Sequence, residues 1–342
     1  MDNRYIKILL SICVTFVLVL VADGCGGTSK YTIGGTISGL SGTVVLTNNT
    51  VDDLTLTADG MFAFGTSVDN NANYIVAVKT QPSGQTCAIT SATGTVSEAN
   101  VTNVTVTCAN TYAIGGTASG LGTGDSVTLQ NNGADDLAVS ANGSFYFNTR
   151  LANNAPYDAT VSVQPSAARC VISGSSGSVI GNDVTTIQVT CHPNKKVFVT
   201  NLQSSGAGIT GISGADSDCM SDSLYPGTGT YKALLEATTR QPGTNWVLEP
   251  YTAYYRTDGT TLVVITDGNG TFAPSAIVNP FTAVVELIWT GFTPPNWSLA
   301  SNCGDWSAAT SGCCSDSSFT LANSICGLSC LTNFYYIICV EQ

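Results

Sequence analysis

Tyr31-Thr-Ile-Gly-Gly-Thr-Ile-Ser-Gly-Leu40 returns as Tyr112-Ala-Ile-Gly-Gly-Thr-Ala-Ser-Gly-Leu121, an offset of 81 residues. A two-residue insertion then raises the offset to 83, at which Asp52-Asp53 meets Asp135-Asp136, Phe62 meets Phe145 and Gln81-Pro82 meets Gln164-Pro165. Cys87 and Cys108 fall on Cys170 and Cys191 by the same offset. Self-similarity at a fixed spacing, sustained over a whole domain length, marks tandem copies of one folding unit.

Each copy reads as β structure. Thr43-Val-Val-Leu46, Leu54-Thr-Leu-Thr57, Met61-Phe-Ala-Phe64 and Tyr74-Ile-Val-Ala-Val-Lys79 are short runs rich in β-branched and aromatic residues. Asp59-Gly60 and Asn142-Gly143 read as two-residue hairpin turns, which need positive φ at both central positions. Cys87 and Cys108, and equally Cys170 and Cys191, are expected to staple a terminal hairpin; closing a loop of about twenty residues contributes roughly 3 kcal/mol. The Asp-Asp pair of each copy reads as loop solvation. A calcium cage needs about six to eight oxygens, and no third or fourth ligand recurs nearby. The pattern resembles bacterial immunoglobulin-like repeats, and that resemblance implies spacers that hold a distal domain away from the cell.

Upstream of the repeats, Arg4 and Lys7 precede an apolar run over 8–21, too short for a membrane span and suited to a signal-peptide core. Ala22-Asp23-Gly24-Cys25-Gly26-Gly27 resembles a bacterial lipobox, although that motif prefers Leu and a small residue where Ala22 and Asp23 stand. The resemblance implies a lipidated Cys25 as the mature amino terminus, with Cys13 lost. The expected organisation is a signal peptide over 1–24, a tether over 25–30, repeats over 31–110 and 111–192, a linker over 193–196 and a final domain over 197–342.

Composition bounds the partners. Of 342 residues only 10% are charged and the formal net charge is -12. That balance repels nucleic acid, heparin-like polyanions and anionic lipid headgroups. Thirteen cysteines with recurring spacing point to an oxidising compartment. The lone histidine, His192, follows a structural cysteine in a polar break, His192-Pro193-Asn194-Lys195-Lys196, and reads as a solvated linker residue.

Beyond the break, strands are expected at Lys196-Val-Phe-Val-Thr-Asn201, Tyr231-Lys-Ala-Leu-Leu-Glu236, Trp246-Val-Leu248, Leu262-Val-Val-Ile265 and Tyr335-Tyr-Ile-Ile-Cys-Val340. A short helix is expected over 211–223, its Asp216, Asp218 and Asp222 favouring the amino end and forming a solvated face rather than a metal cluster. Asp267-Gly-Asn-Gly270 reads as a turn, because the remaining ligands of a calcium loop are missing.

Gly214-Ala-Asp-Ser-Asp-Cys219, Gly229-Thr-Tyr-Lys-Ala-Leu-Leu235, Ile288-Trp-Thr-Gly291, Asn302-Cys-Gly-Asp-Trp306 and the terminal Tyr336-Ile-Ile-Cys-Val-Glu-Gln342 are similar to endostatin in order and spacing. They look closer still to a domain family of unknown function from bacterial surface lipoproteins. Both resemblances imply a C-type-lectin-like α+β fold, with nested disulfides Cys219–Cys339 and Cys303–Cys330. Cys326 is expected to bond to either Cys313 or Cys314. The whole chain is thus expected to be multidomain: two all-β immunoglobulin-like sandwiches followed by an α+β lectin-like domain.

Departures from the working members of that fold narrow the function. Calcium-dependent lectins carry Glu-Pro-Asn or Gln-Pro-Asp plus Trp-Asn-Asp, whereas this chain has Thr293-Pro-Pro-Asn296 and no such second triplet. Endostatin takes zinc on histidines and heparin on arginines; this domain has no histidine, and its arginines are Arg240 and Arg256. No metal or cofactor is expected. A zinc site from Cys303, Cys313, Cys314, Cys326 and Cys330 is set aside for disulfides, the norm in exported proteins. Glu236 and Glu286 form a conceivable glycosidase pair without recognisable context. No nucleophile elbow, HExxH helix or phosphate loop is present, so no enzyme is expected.

The expectation is a lipid-anchored protein of the cell envelope, on the outer membrane and surface-exposed, whose head binds an extracellular glycan or protein. Its contact surface is expected in the loops of 290–318, with Asn296, Trp297 and Asp305 as the candidate residues, since aromatic and polar loops suit such contacts. Trp289 and Trp306 are read mainly as core. The alternatives are a structural envelope component without a ligand and, last, a glycan hydrolase.

Overall fold

The computed structural model describes residues 29–205, 208–283, 287–290, 292–293, 298–299, 306, 311–316, 325–329 and 334–342. The protein is multidomain and mostly β-sheet, with a single α-helix among the described residues. The chain divides after Thr111 into two compact units. The first holds the first repeat; the second holds the second repeat together with the carboxy-terminal domain.

The two repeats share one wiring. In the first, Ile33–Ser38 runs parallel to Val101–Tyr112 and antiparallel to Gly60–Ala63, while Gln85–Thr90 pairs with the other edge of Val101–Tyr112. A second sheet carries Asp52–Leu56, Val44–Asn48, Asn73–Thr80 and Thr93–Thr95 in that order. Ile33, Val104 and Val106 from one sheet and Val44, Leu46 and Val76 from the other are buried in one core. In the second repeat Ile114–Ser119, Val184–Pro193, Gly143–Tyr146 and Ala168–Ser173 pair in the same way, and Ile114, Ile187, Leu129 and Ala159 build the equivalent core.

The Gly-Gly pair of the repeating motif has a steric cause. A Cβ on Gly35 would lie 1.7 Å from the Val104 carbonyl oxygen, and one on Gly116 would lie 1.8 Å from that of Ile187. Both glycines stand just after a register shift in the parallel pairing, where two backbones close on each other.

Asp59-Gly60 and Asn142-Gly143 do not form hairpins. Asp52–Leu56 pairs with Val44–Asn48, whereas Gly60–Ala63 pairs with Ile33–Ser38, so the chain crosses here between sheets. Asp59 and Asn142 serve instead as clasps on a Gly-Leu corner. The Asp59 carboxylate accepts from the amides of Gly39 and Leu40 at 3.0 and 2.8 Å, and Asn142 accepts from the Leu121 amide at 2.9 Å. The Asp-Asp pairs lie in strands rather than loops. Asp52 and Asp135 accept from the amides of Thr66 and Thr149, both at 2.8 Å, and Asp53 pairs with Lys79.

Disulfides Cys87–Cys108 and Cys170–Cys191 each join directly opposed residues on neighbouring antiparallel strands.

The carboxy-terminal domain is built on a five-stranded sheet in the order Tyr231–Ala233, Ile338–Glu341, Lys195–Val199, Ala253–Arg256 and Leu262–Ile265. Val197, Ile338 and Val340 enter one core with Tyr254, Phe272 and Phe281; Phe198, Ile337 and Cys339 enter another with Ala215, Trp289 and Trp306. Both faces of the terminal strand are therefore covered, which is why its sequence is continuously apolar instead of alternating. The helix Ile212–Ser221 is tied to that strand by Cys219–Cys339.

Three local expectations change here. Trp246-Val-Leu248 is a loop, not a strand, with Val247 and Leu248 buried, Trp246 half-buried and its indole donating to the Gly270 carbonyl at 2.9 Å. No acid lies in the first helical turn. The three helix aspartates are structural rather than a solvated face: Asp216 pairs with Arg240, Asp218 is held above the usual carboxylate range by burial, and Asp222 accepts the amides of Asn201 and Leu224 at 2.9 and 2.8 Å.

Candidate functional site

The polar break ahead of the head is ordered structure. The strand Val184–Pro193 ends one residue before Lys195–Val199 begins, leaving Asn194 alone between them. Asn194 donates its amide to the Ala167 carbonyl at 2.9 Å and its side-chain nitrogen to that of Ser166 at 3.1 Å. Lys195 is buried against Glu249, with Nζ to Oε1 at 2.7 Å. His192 is thus not a solvated linker residue. It is half-buried in a strand, its ring centroid 5.8 Å from that of Tyr251.

Within the head, a cluster of buried aromatic side chains reaches the Glu236 backbone through Trp306. Trp289 and Trp306 are fully buried with ring centroids 5.7 Å apart, edge to face, and Tyr335 meets Trp289 at 4.9 Å. Trp289 donates its indole N–H to the Ser204 carbonyl, and Trp306 donates its own to the Glu236 carbonyl, both at 2.9 Å. The Trp306 carbonyl accepts from Gly211 at 2.6 Å, which fastens the helix start to the same point. Trp306 has φ 62°, a conformation a bulky residue keeps only when its surroundings enforce it.

The Glu236 amide donates to the Thr290 carbonyl, while the residue is 1% exposed and its Oε2 has no hydrogen-bond partner among the described residues. Burial pushes its carboxyl up to about 7. A neutral acid of this kind donates a proton or a hydrogen bond at mildly acid pH and becomes a carboxylate only above it. Among the described residues no cluster of histidine, cysteine or acidic groups is arranged to hold a metal.

Of the residues picked from sequence, Asn296, Trp297 and Asp305 lie outside the described residues, as do Cys25, Cys303, Cys330 and Glu286. Cys219 and Cys339 are bonded, and Trp289 and Trp306 are core. What sequence reading missed is the environment of Glu236 and the packing of His192 on Tyr251. Neither leaves a local motif, because the partners of each come from distant segments.

The chain is thus a multidomain β protein whose head is disulfide-tied and carries a buried acid, Glu236. Residues 202–320 of that head match the family described as "Protein of unknown function (DUF1554)". No curated protein matches the chain. Among solved structures, the Bacillus anthracis TIE protein is similar over 51% of this chain at 12% identity, with a TM-score of 0.23. The chain spans about a third (35%) of that protein's length. Among the described residues no helix is long and apolar enough to cross a membrane.

Proposed function

We propose that the chain is a non-enzymatic envelope protein, lipid-anchored through Cys25 at the outer membrane and exposed at the cell surface. In this reading two immunoglobulin-like spacers present a C-type-lectin-like head, and the loops of 290–318 bind an extracellular glycan or protein without calcium. One observation carries it. The second repeat passes into the head strand to strand, with Asn194 alone between them and Lys195 ion-paired to Glu249, so this junction suits presentation rather than free swivelling. Loops on a disulfide-tied sheet are the usual place for contact residues.

The test is glycan-array and pull-down binding by residues 26–342 with and without EDTA, repeated for Trp297→Ala. Calcium-independent binding that Trp297→Ala removes, with the fold intact, supports the reading. Binding that EDTA abolishes, or that the variant leaves unchanged, overturns it. Glu236 favours a second reading, glycan hydrolysis with a raised-pKa acid, which also needs a second carboxylate at working distance. Glycan turnover that Glu236→Gln eliminates would establish that reading instead.

A further inference from the structure

The tandem repeats provide an internal control for the second unit. A cleft of about 740 Å³ opens where Asp158 and Thr160 of one sheet of the second repeat approach Arg169, Thr190 and His192 of the other, and Tyr251 of the head completes its lining. That volume lies within the range of roughly 300–1,000 Å³ typical of small-ligand sites.

Arg169 and His192 are Cα partners on adjacent strands, and they flank the buried Cys170 and Cys191. Their counterparts in the first repeat, Thr86 and Ala109, are Cα partners in the same register. Asp158 likewise replaces Ile75, and Gln188 replaces Thr105. Core positions keep their character between the copies, with Tyr74 matching Tyr157 and the cysteines matching throughout. The first copy folds without a guanidinium, imidazole or carboxylate at these places, so the fold does not require them. They occur in the copy that adjoins the head. Among the described residues Asp158 and Arg169 enter no ion pair, although each lines the same cleft.

Tyr251 adds an aromatic face. Its residue is 42% exposed, and its backbone takes φ 53°, an uncommon conformation for a bulky side chain. Packing holds it there. The ring meets His192, the hydroxyl lies over Gly268, where a Cβ would stand 2.5 Å away, and the amide donates to the Asp267 carbonyl at 3.0 Å.

We propose that this junction cleft binds a short saccharide bearing a single carboxylate. Arg169 takes the carboxylate with its planar fork of donors. Tyr251 takes the C–H face of a sugar ring, and Asp158, Thr160 and Thr190 meet its hydroxyls. Asp158, which lines the same cleft as Arg169, also disfavours a bare anion or a polyanion, which would bring charge without hydroxyls to satisfy the carboxylate. None of the described residues that line the site comes from 290–318.

Calorimetry on residues 26–342 tests it, with methyl glucuronide and cellobiuronate as probes, each beside its carboxyl-reduced form. An acidic probe is expected to bind about tenfold or more tightly than its reduced form. Arg169→Thr, which installs the residue of the first repeat, and Tyr251→Ala should each weaken binding by about tenfold or more while the melting temperature holds. Trp297→Ala should leave the affinity unchanged, which separates this site from the loop surface. Absence of binding by both acidic probes at millimolar concentration overturns the proposal. So does equal affinity for the reduced forms, indifference to Arg169→Thr, or loss on Trp297→Ala.

Discussion

Cys313 and Cys326 are Cα partners across the antiparallel pair Ser311–Asp316 and Ile325–Ser329, whereas Cys314 is opposed to Ile325. The disulfides of both repeats join cysteines in that same opposed relation. Of the two partners open to Cys326 on sequence grounds, the register favours Cys313. Non-reducing peptide mapping should find Cys313 linked to Cys326 and a free or intermolecular thiol at Cys314. A Cys314–Cys326 peptide would rule this out.

Asp216 and Arg240 form a two-pronged ion pair in a largely enclosed setting, with contacts of 2.8 and 2.6 Å. The pair also binds the strand Tyr231–Ala233, since Asp216 accepts the Ala233 amide at 2.9 Å and Arg240 donates to the Ala233 carbonyl at 3.0 Å. Removing one partner strands the other charge, so Asp216→Ala should cost about 3–5 kcal/mol. Lys79→Ala, which breaks the exposed pair with Asp53 in the first repeat, should leave the unfolding of the head unchanged. All four tryptophans lie between 246 and 306, so urea unfolding followed by tryptophan fluorescence reports the head alone. A stable Asp216→Ala head would contradict the structural role.

Glu236 makes the head pH-sensitive in a defined direction. Its carboxyl is raised by burial from 4.5 to about 7, so between those values the folded state holds a proton that the unfolded state has released. Stability from this group is complete below pH 4.5, falls as pH rises toward 7, and levels off beyond it. The loss is on the order of 3 kcal/mol. Fluorescence-detected unfolding from pH 4 to 8 should show the decline in wild type and a flatter profile in Glu236→Gln. Equal slopes would remove Glu236 as its source.

Much of this architecture is readable in the sequence, and the failures share a cause. The repeats announce themselves because Tyr-x-Ile-Gly-Gly-Thr recurs with its cysteines, and the opposed cysteines follow from that spacing. Asp59-Gly60 carries the local signature of a hairpin, yet the apolar residues on its two sides belong to different sheets. Local turn chemistry cannot report that choice. Asp216 looks solvated until Arg240, distant in sequence, is seen to reach it. At the candidate sites, the replacement of Thr86 and Ala109 by Arg169 and His192 is visible on comparing the copies, whereas the burial of Glu236 leaves no mark in the local sequence.

The second glycine of the repeating motif yields the last prediction. A methyl group on Gly35 has nowhere to go, because it would meet the Val104 carbonyl at 1.7 Å and the neighbouring atoms are also backbone. Relief requires parting the parallel strands Ile33–Ser38 and Val101–Tyr112, whose Val104 and Val106 side chains are wholly buried. Gly35→Ala should therefore destabilise the first repeat by about 3 kcal/mol or more, at the upper end for overpacking, because backbone rather than a side-chain tip must move. Gly65 is the control: a Cβ there has nothing within 4 Å, so Gly65→Ala should lie near neutral or stabilise slightly by restricting the unfolded chain. No tryptophan reports on this repeat, so hydrogen exchange of peptides covering Val101–Tyr112 is the measurement. Gly35→Ala should speed exchange across the strand roughly a hundredfold, the equivalent of about 3 kcal/mol in the opening equilibrium. Unchanged protection would mean that the two strands separate at that point at little cost, and the steric account of the motif would fail.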